Sequence, residues 1–385
     1  MKILYHHRVA SKDGQYVHVE EIVNALRNMG HEIILVEPGT TESKDFGKSS
    51  GLVKSIRTHL PGFMHELIEF GYSFYDYFRL KSAIKRHKPD CIYERYNLFF
   101  ISGIWAKKRF QLPLLLEVNA PLFEERNTHD SISLKSLADW SEQYAWRNAD
   151  YVLPVTEVLA RKITEKNVPK ERIVVIPNGV NKGQFAKGLS GDGIRENYNL
   201  RNNLILGFTG FVREWHRLDK VLDVIAENRD FNWHMLLVGD GPARAMLEKK
   251  AADLNITEHL TITGIVQRGQ IPEYIACFDI ALQPDVVEYA SPLKLFEYLA
   301  LGKAVIAPNK DNIQEILSDR VNAVLFNTNS ETDFSNKLKE VCTSTSLREQ
   351  ISKGALDLVN DRSLYWDSNA EKIIGLFEEI VVDRG

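Results

Sequence analysis

Two stretches in the second half of the chain bring together residue types suited to holding a diphosphate. The run Ser291-Pro292-Leu293-Lys294-Leu295-Phe296-Glu297-Tyr298-Leu299-Ala300-Leu301-Gly302 reads as a polar turn that opens a helix, closed by Gly302 and followed at once by a buried strand. Amides in the first turn of a helix have no partner inside it, so those at Ser291 and Leu293, either side of Pro292, suit an anion. Lys294 adds a positive charge, although a cation there opposes the helix dipole and calls for another reason. Glu297, about two turns in, offers a carboxylate that accepts two hydrogen bonds from ribose hydroxyls. The second stretch, Gly207-Phe208-Thr209-Gly210-Phe211-Val212-Arg213-Glu214-Trp215-His216-Arg217-Leu218-Asp219, follows a strand and opens a helix. Gly210 beside Arg213 and Arg217 at a strand end points to phosphate contact.

The elements that position these stretches alternate from end to end. Short, nearly continuous apolar runs mark strands at 2–6, 32–37, 91–95, 114–119, 151–155 and 173–177, then at 204–209, 234–239, 260–264, 280–283, 304–308 and 323–326. Between them lie helix-period segments, such as Val19, Ile22, Val23, Leu26 and Met29 ahead of Gly30. Strand, helix, strand in series gives α/β architecture with parallel, doubly wound sheets, and six strands followed by six more give two of them. The expected division is 1–185 for an N-terminal, acceptor-side domain and 186–365 for a C-terminal, donor-side domain. A last helix, 366–382, opens a tail to 385 that packs back on the first domain. The glycine-containing stretch 181–199 reads as the linker. Between Thr40 and Lys88 the alternation breaks. The aromatic cluster Phe70, Tyr72, Phe74, Tyr75, Tyr77 and Phe78 runs into Arg79, Lys81, Lys85, Arg86 and Lys88. Two readings stand: a pair of helices covering the sheet with a solvated basic face, or a membrane-surface or lipid-acceptor site.

Bulk properties narrow the function classes. The 385 residues are 44% hydrophobic and 26% charged with a net charge of −4, so no global basic field argues for nucleic acid. Three widely spaced cysteines, Cys91, Cys277 and Cys342, fit reduced thiols rather than a disulfide framework or a metal site. Met1-Lys2-Ile3-Leu4-Tyr5 running into His6-His7-Arg8 does not read as a signal peptide, and no apolar run approaches the roughly 20 residues that span a bilayer. The expectation is a cytoplasmic protein, with peripheral membrane contact as the alternative.

The 291–308 stretch resembles the segment "SP-x-K-x-x-E-Y-x-A-x-G-x-P-V-I" of the large retaining glycosyltransferase family that includes sucrose synthases and bacterial mannosyltransferases. That resemblance implies a GT-B fold, two Rossmann-like domains facing across a cleft. It also implies that the amides at Ser291 and Pro292 face the donor diphosphate and that Glu297 binds ribose. Many relatives have a further glutamate seven residues earlier, contacting the donor sugar. Tyr289 stands there, with Glu288 and Asp285 nearby. The 207–219 stretch is similar to a "W-H-G-x-D" subgroup, with Phe211 and His216 where other relatives have arginine and lysine. The phosphate cations are then Arg213 and Arg217. Leu237-Val238-Gly239-Asp240-Gly241-Pro242 resembles the family's "V-G-D-G-P" turn beside the nucleotide, and Gly264-Ile265-Val266 lies where relatives place backbone against the base. In the first half, Gly14 and His18 match in part a glycine-rich loop and first-turn histidine. Asn119 stands where many relatives have a histidine near the reacting carbon. Glu117 is expected to point the opposite way along the strand, and Glu124, Glu125 and Arg126 to lie in a loop.

The resemblance implies transfer of a sugar from a nucleotide-diphosphate sugar to an acceptor hydroxyl with retention at the anomeric carbon. Arg213, Arg217, Asn119 and His18 are the residues assigned to the chemistry. A lipid-linked glycan, a growing polysaccharide or a small metabolite all fit as acceptor. No Asp-x-Asp motif sits at a convincing strand end, so neither an obligatory metal nor another cofactor is expected. The competing readings are a nucleotide-sugar epimerase on the same fold and an inactive homologue that binds a partner. A nicotinamide-dependent oxidoreductase would need a Gly-x-Gly-x-x-Gly turn after a strand, which is not found.

Overall fold

In the first half, strands and helices alternate as β1 (Lys2–His6), α1 (Gly14–Asn28), β2 (Glu32–Val36), α2 (Gly62–His87), β3 (Cys91–Arg95), α3 (Ser102–Phe110), β4 (Leu114–Val118), α4 (Leu122–His129), α5 (Lys135–Asn148), β5 (Tyr151–Pro154) and α6 (Glu157–Glu165). The computed structural model describes residues 1–9, 14–38, 61–129, 132–186 and 188–384. The second half continues with α7 (Asp192–Asn197), β6 (Leu204–Thr209), α8 (Asp219–Glu227), β7 (Trp233–Val238), α9 (Arg244–Asp253), β8 (Leu260–Ile262), α10 (Ile271–Ala276) and β9 (Ile280–Leu282). It closes with α11 (Leu293–Ala300), β10 (Ala304–Pro308), α12 (Asp311–Gln314), β11 (Val324–Phe326), α13 (Asp333–Thr343), α14 (Thr345–Asp361) and α15 (Trp366–Arg384). Two compact units result: Met1–Pro177 with Tyr289–Ser291 and Trp366–Gly385, and Asn178–Glu288 with Pro292–Tyr365.

The first unit carries a parallel sheet in the order β2-β1-β3-β4-β5. Its central strands are apolar on both faces because helices cover both, and β4 is buried along its whole length. The order reverses between β1 and β3, and ligands of such sheets bind beyond the carboxyl ends of the strands at that reversal. α15 packs against α1, burying Trp366, Ala370, Ile373, Ile374, Phe377 and Ile380 at helical spacing. Each of the large ones contributes about 1.5–3 kcal/mol to that packing. Asn369 Nδ2 donates to the Pro177 carbonyl at 2.7 Å, fixing the start of the helix.

The second unit has a six-stranded sheet in the order β11-β10-β9-β6-β7-β8, again all parallel. Here the reversal falls between β6 and β9, the strands that lead to the two stretches with phosphate-binding character.

Several elements depart from the sequence reading. The expected strand at 173–177 is reduced to a single bridge between Ile173 and Val152, with Ile176 N donating to Pro154 O at 2.9 Å. The next rung requires an N–H at position 154, which proline lacks. The linker stretch contains the short α7, and a side-chain carbon on Gly191 would lie 2.2 Å from the Cys277 amide nitrogen, so it packs as part of the unit. Between Thr40 and Lys88 the described residues hold the 26-residue α2, and 39–60, where the other member of the expected helix pair falls, lie outside them. Glu124, Glu125 and Arg126 belong to α4 rather than a loop.

Candidate active site

In the second unit, the carboxyl ends of β6 and β7 meet through two glycines. Gly210 and Gly239 adopt φ of +123° and +142°, and a side-chain carbon on Gly239 would lie 2.1 Å from the Gly210 carbonyl oxygen. α11 is clamped against the end of β6 by Tyr298, whose hydroxyl accepts the Thr209 amide at 2.9 Å. Pro292 is its N-cap, and no side-chain hydrogen bond caps the helix. Lys294 supplies the reason its place on the first turn required. Its ammonium lies 3.7 Å above the centre of the Phe208 ring, and 3.4 Å from where a side-chain carbon on Gly210 would sit. Burial strips that ammonium of water and lowers its pKa to about 7, only partly opposed by Glu297. Part of the Lys294 residue remains accessible, while its charged end turns inward.

Glu297 is almost wholly buried and paired with Arg268, Nη1 to Oε1 at 2.6 Å. Arg213 is exposed, its guanidinium 5.1 Å from the centre of the Phe211 ring. Arg217 is left-handed at φ +55° and reaches Asp219 only at 3.7 Å. His216 is buried between Trp215 and Phe208, and its Nδ1 accepts the Arg213 amide at 3.0 Å. Burial, with Lys294 next, pushes its pKa down to about 3, so it shapes the turn as a neutral ring. Gly264 at φ +72° follows β8 and leads to the exposed Ile265 and half-buried Val266. Asp285 is held by Lys310 at 2.8 Å, and Glu288 is exposed.

The corresponding strand ends of the first unit are filled differently. His18 on α1 is buried, with Nδ1 3.1 Å from Arg95 Nη1 and 3.4 Å from Glu117 Oε1. Burial lowers its pKa to about 4. Glu117 also accepts from Tyr93 at 2.9 Å and from Asn119 Nδ2 at 2.5 Å. Glu117 therefore does not point away from Asn119. Residues two apart on a strand share a face, and the carboxylate gathers His18, Arg95 and Asn119. Burial alone would raise its pKa, but His18, Arg95 and these hydrogen bonds hold it below the usual range. Beside it, His6 is flanked by Glu94 at 2.7 Å and Asp76 at 2.8 Å. Burial would depress His6, yet the two carboxylates raise it to about 9. Gly14 begins α1 with open space around it. Tyr289 is half-buried against the first unit's core, and burial with Glu125 raises its hydroxyl pKa.

The structure thus groups Gly210, Gly239 and Lys294 in one unit, and His18 and Asn119, through Glu117, in the other. Two partners escaped the sequence reading. Arg95 ends β3 opposite Glu117 at the end of β4, a cation and an anion closing adjacent strands. Arg268 sits in a turn after β8, and no spacing along the chain links it to Glu297. Among the described residues, no group of three or more His, Cys, Asp or Glu side chains is placed to hold a metal ion.

Two parallel-sheet α/β units of this kind are the architecture of the GT-B fold. Glycosyltransferase Family 4 matches residues 12–184 and Glycosyl transferases group 1 matches residues 192–357, and the chain belongs to these glycosyltransferase families. The alpha-D-kanosaminyltransferase of Streptomyces kanamyceticus is 22% identical over 63% of this chain, which spans 64% of that relative's length. The GDP-mannose-dependent alpha-mannosyltransferase of Mycobacterium tuberculosis is 22% identical over 94% of this chain and 92% of its own. The Anabaena HepE structure in complex with UDP shares the fold, with a TM-score of 0.74 at 16% identity over 98% of this chain and 100% of that one.

Proposed function

We propose that this chain is a retaining glycosyltransferase that moves a sugar from a nucleotide-diphosphate sugar to an acceptor hydroxyl in glycolipid, polysaccharide or glycoconjugate synthesis. The observation that carries this reading is Lys294, a cation turned inward beside Gly210 at the β6 end, with too little negative charge around it to keep its pKa normal. A diphosphate would supply that charge. In this reading the amides at Ser291 and Leu293, with Lys294, Arg213 and Arg217, hold the diphosphate, and Pro292, which has no N–H, shapes the turn that presents them. Gly210 and Gly239 let the ends of β6 and β7 close together beside the diphosphate, and His216 keeps the Arg213 turn in shape. Glu297 takes the ribose, and Ile265 and Val266 border the base. Gly14 is assigned to donor binding, and His18 and Asn119 to the chemistry at the reacting carbon.

The acceptor oxygen bonds to the anomeric carbon as the bond from that carbon to the diphosphate breaks, on the same face of the sugar. The departing phosphate oxygen takes the acceptor's proton, so no protein nucleophile is needed. Rate comes from stabilising the charge that grows on the leaving diphosphate. No metal is assigned a step, and turnover is expected to survive a chelator.

The test is a thermal-shift screen against UDP, GDP, ADP and their sugar conjugates, followed by anomeric assignment of the product by NMR. A ligand at a hundredfold excess over its Kd adds about 2.7 kcal/mol to stability. No shift with any nucleotide at millimolar concentration would overturn the reading, and an inverted product would overturn its stereochemistry.

A further inference from the structure

Over most of its length helix α2 is amphipathic with its faces reversed, while Leu80 and Ile84 near its C-terminal end join the core. The side chains it turns inward include Glu66, Ser73 and Asp76, each engaged by polar partners. Glu66 accepts the Ser133 and Leu134 amides at 2.8 and 2.5 Å, ahead of α5. The Ser73 hydroxyl donates to the Phe99 carbonyl at 2.9 Å. Asp76 accepts from Ser102 Oγ at 2.7 Å and meets His6 at 2.8 Å. Outward along the same helix run Phe63, Leu67, Ile68, Phe74, Tyr75 and Phe78, spaced by one, three, four or six residues along one stripe, and Phe78 is 62% exposed. Trp140 on α5, itself 45% exposed, meets Phe70 edge-on and widens the stripe. A contiguous apolar surface of this kind marks an interaction site, since isolated exposed side chains would not line up.

The charge on the same face says what covers it. None of the exposed residues from Pro61 to Lys88 is acidic, while Lys85, Arg86 and Lys88 are exposed at the C-terminal end. Lys81 adds a cation over the Phe78 ring at 5.8 Å. This concentration of positive charge stands out in a chain of net charge −4. A protein partner would need an apolar groove edged with acids, whereas an anionic bilayer supplies an apolar interior beneath a layer of phosphates. Aromatic rings beside cations are the side chains that settle at that boundary. No helix among the described residues is long and apolar enough to cross a membrane, so the contact is one of lying on the surface.

We propose that α2 docks the first unit on an anionic lipid surface. Phe74, Tyr75 and Phe78 enter the headgroup boundary, and Lys85, Arg86 and Lys88 lie against the lipid phosphates. This holds whether or not the acceptor is a lipid.

Flotation of the full chain with vesicles tests it, using phosphatidylcholine alone and phosphatidylcholine mixed with phosphatidylglycerol. The chain floats with the mixed vesicles and stays behind with the neutral ones. Phe74→Ser/Tyr75→Ser/Phe78→Ser abolishes flotation, and Lys85→Gln/Arg86→Gln weakens it by about fivefold per charge removed. Added salt weakens it as well. Both variants keep the wild-type melting temperature and nucleotide binding, which separates this result from a failure of the donor-site reading. Absence of wild-type flotation overturns the proposal, as does flotation that both variants retain. A chain that ignores vesicles but dimerises through this face, with the triple variant monomeric, assigns the surface to a second copy and also overturns it.

Discussion

The two units end their strands in opposite electrostatic conditions. At the reversal point of the first, the described charges form an internal network: Glu117 holds Arg95, and His6 sits between Asp76 and Glu94. At the reversal point of the second, the glycines let the ends of β6 and β7 close against each other, and Lys294 keeps a cation where burial opposes it. The same topology therefore serves two purposes. A closed ion network fixes geometry, because opening it strands a buried charge. An unbalanced cation is a standing cost that an incoming anion relieves, so it belongs where a ligand binds.

Two substitutions break that comparison if it is wrong, and they carry the largest expected effects. Glu117→Leu leaves Arg95 buried without its carboxylate and should cost about 3–5 kcal/mol in urea unfolding. Lys294→Met keeps the apolar stem and removes the strained charge, so melting temperature should hold or rise. Activity at subsaturating donor should fall about 10²–10³-fold, the scale for losing one group that stabilises developing negative charge. A Lys294→Met protein destabilised as much as Glu117→Leu would mean that both ends are structural networks and that the contrast fails.

Next in size is Glu297→Ala. Loss of hydrogen bonds to a charged group should weaken nucleotide binding about 10–100-fold by calorimetry, while inorganic pyrophosphate, which has no ribose, should bind as before. Equal weakening of both ligands would recast Glu297 as a counter-ion that merely holds Arg268.

What could be read before folding follows from where each interaction is written. Lys294 and Glu297 share one helix three residues apart, and Gly210 follows a strand, so chain order alone brings out their chemistry. β6 and β10 were legible to the residue because strands covered on both faces are continuous apolar runs bounded by turns. Arg268 was not, because its partner lies on another element and the pairing exists only after the sheet forms. Arg95 and Glu117 meet through strand register, which a list of strands does not contain. α2 shows a third kind of limit. Its aromatic stripe is visible as periodicity, but which face turns inward depends on His6, Ser102 and the amides ahead of α5, all distant in the chain. The strand expected at 173–177 failed for a single missing hydrogen, the one Pro154 does not carry.

The smallest effect expected is also the one that most sharpens the contrast, because it follows Lys294 without altering the protein. Its free-state pKa is about 7, so at pH 6 the ammonium is charged and at pH 8 it is mostly neutral. A bound diphosphate favours the charged form and raises that pKa. Between the free and bound values the complex holds one more proton than the free protein, so affinity must fall as pH rises, by at most tenfold per unit. The nucleotide's own phosphate ionises near pH 6 to 7 and works in the opposite direction, so a nucleotide sugar, which lacks that terminal phosphate ionisation, is the ligand to titrate. Lys294→Met should flatten the profile above pH 7. A profile that stays steep in Lys294→Met would place the proton on another group, whereas one that is flat in the wild type would mean that Lys294 never faces the diphosphate.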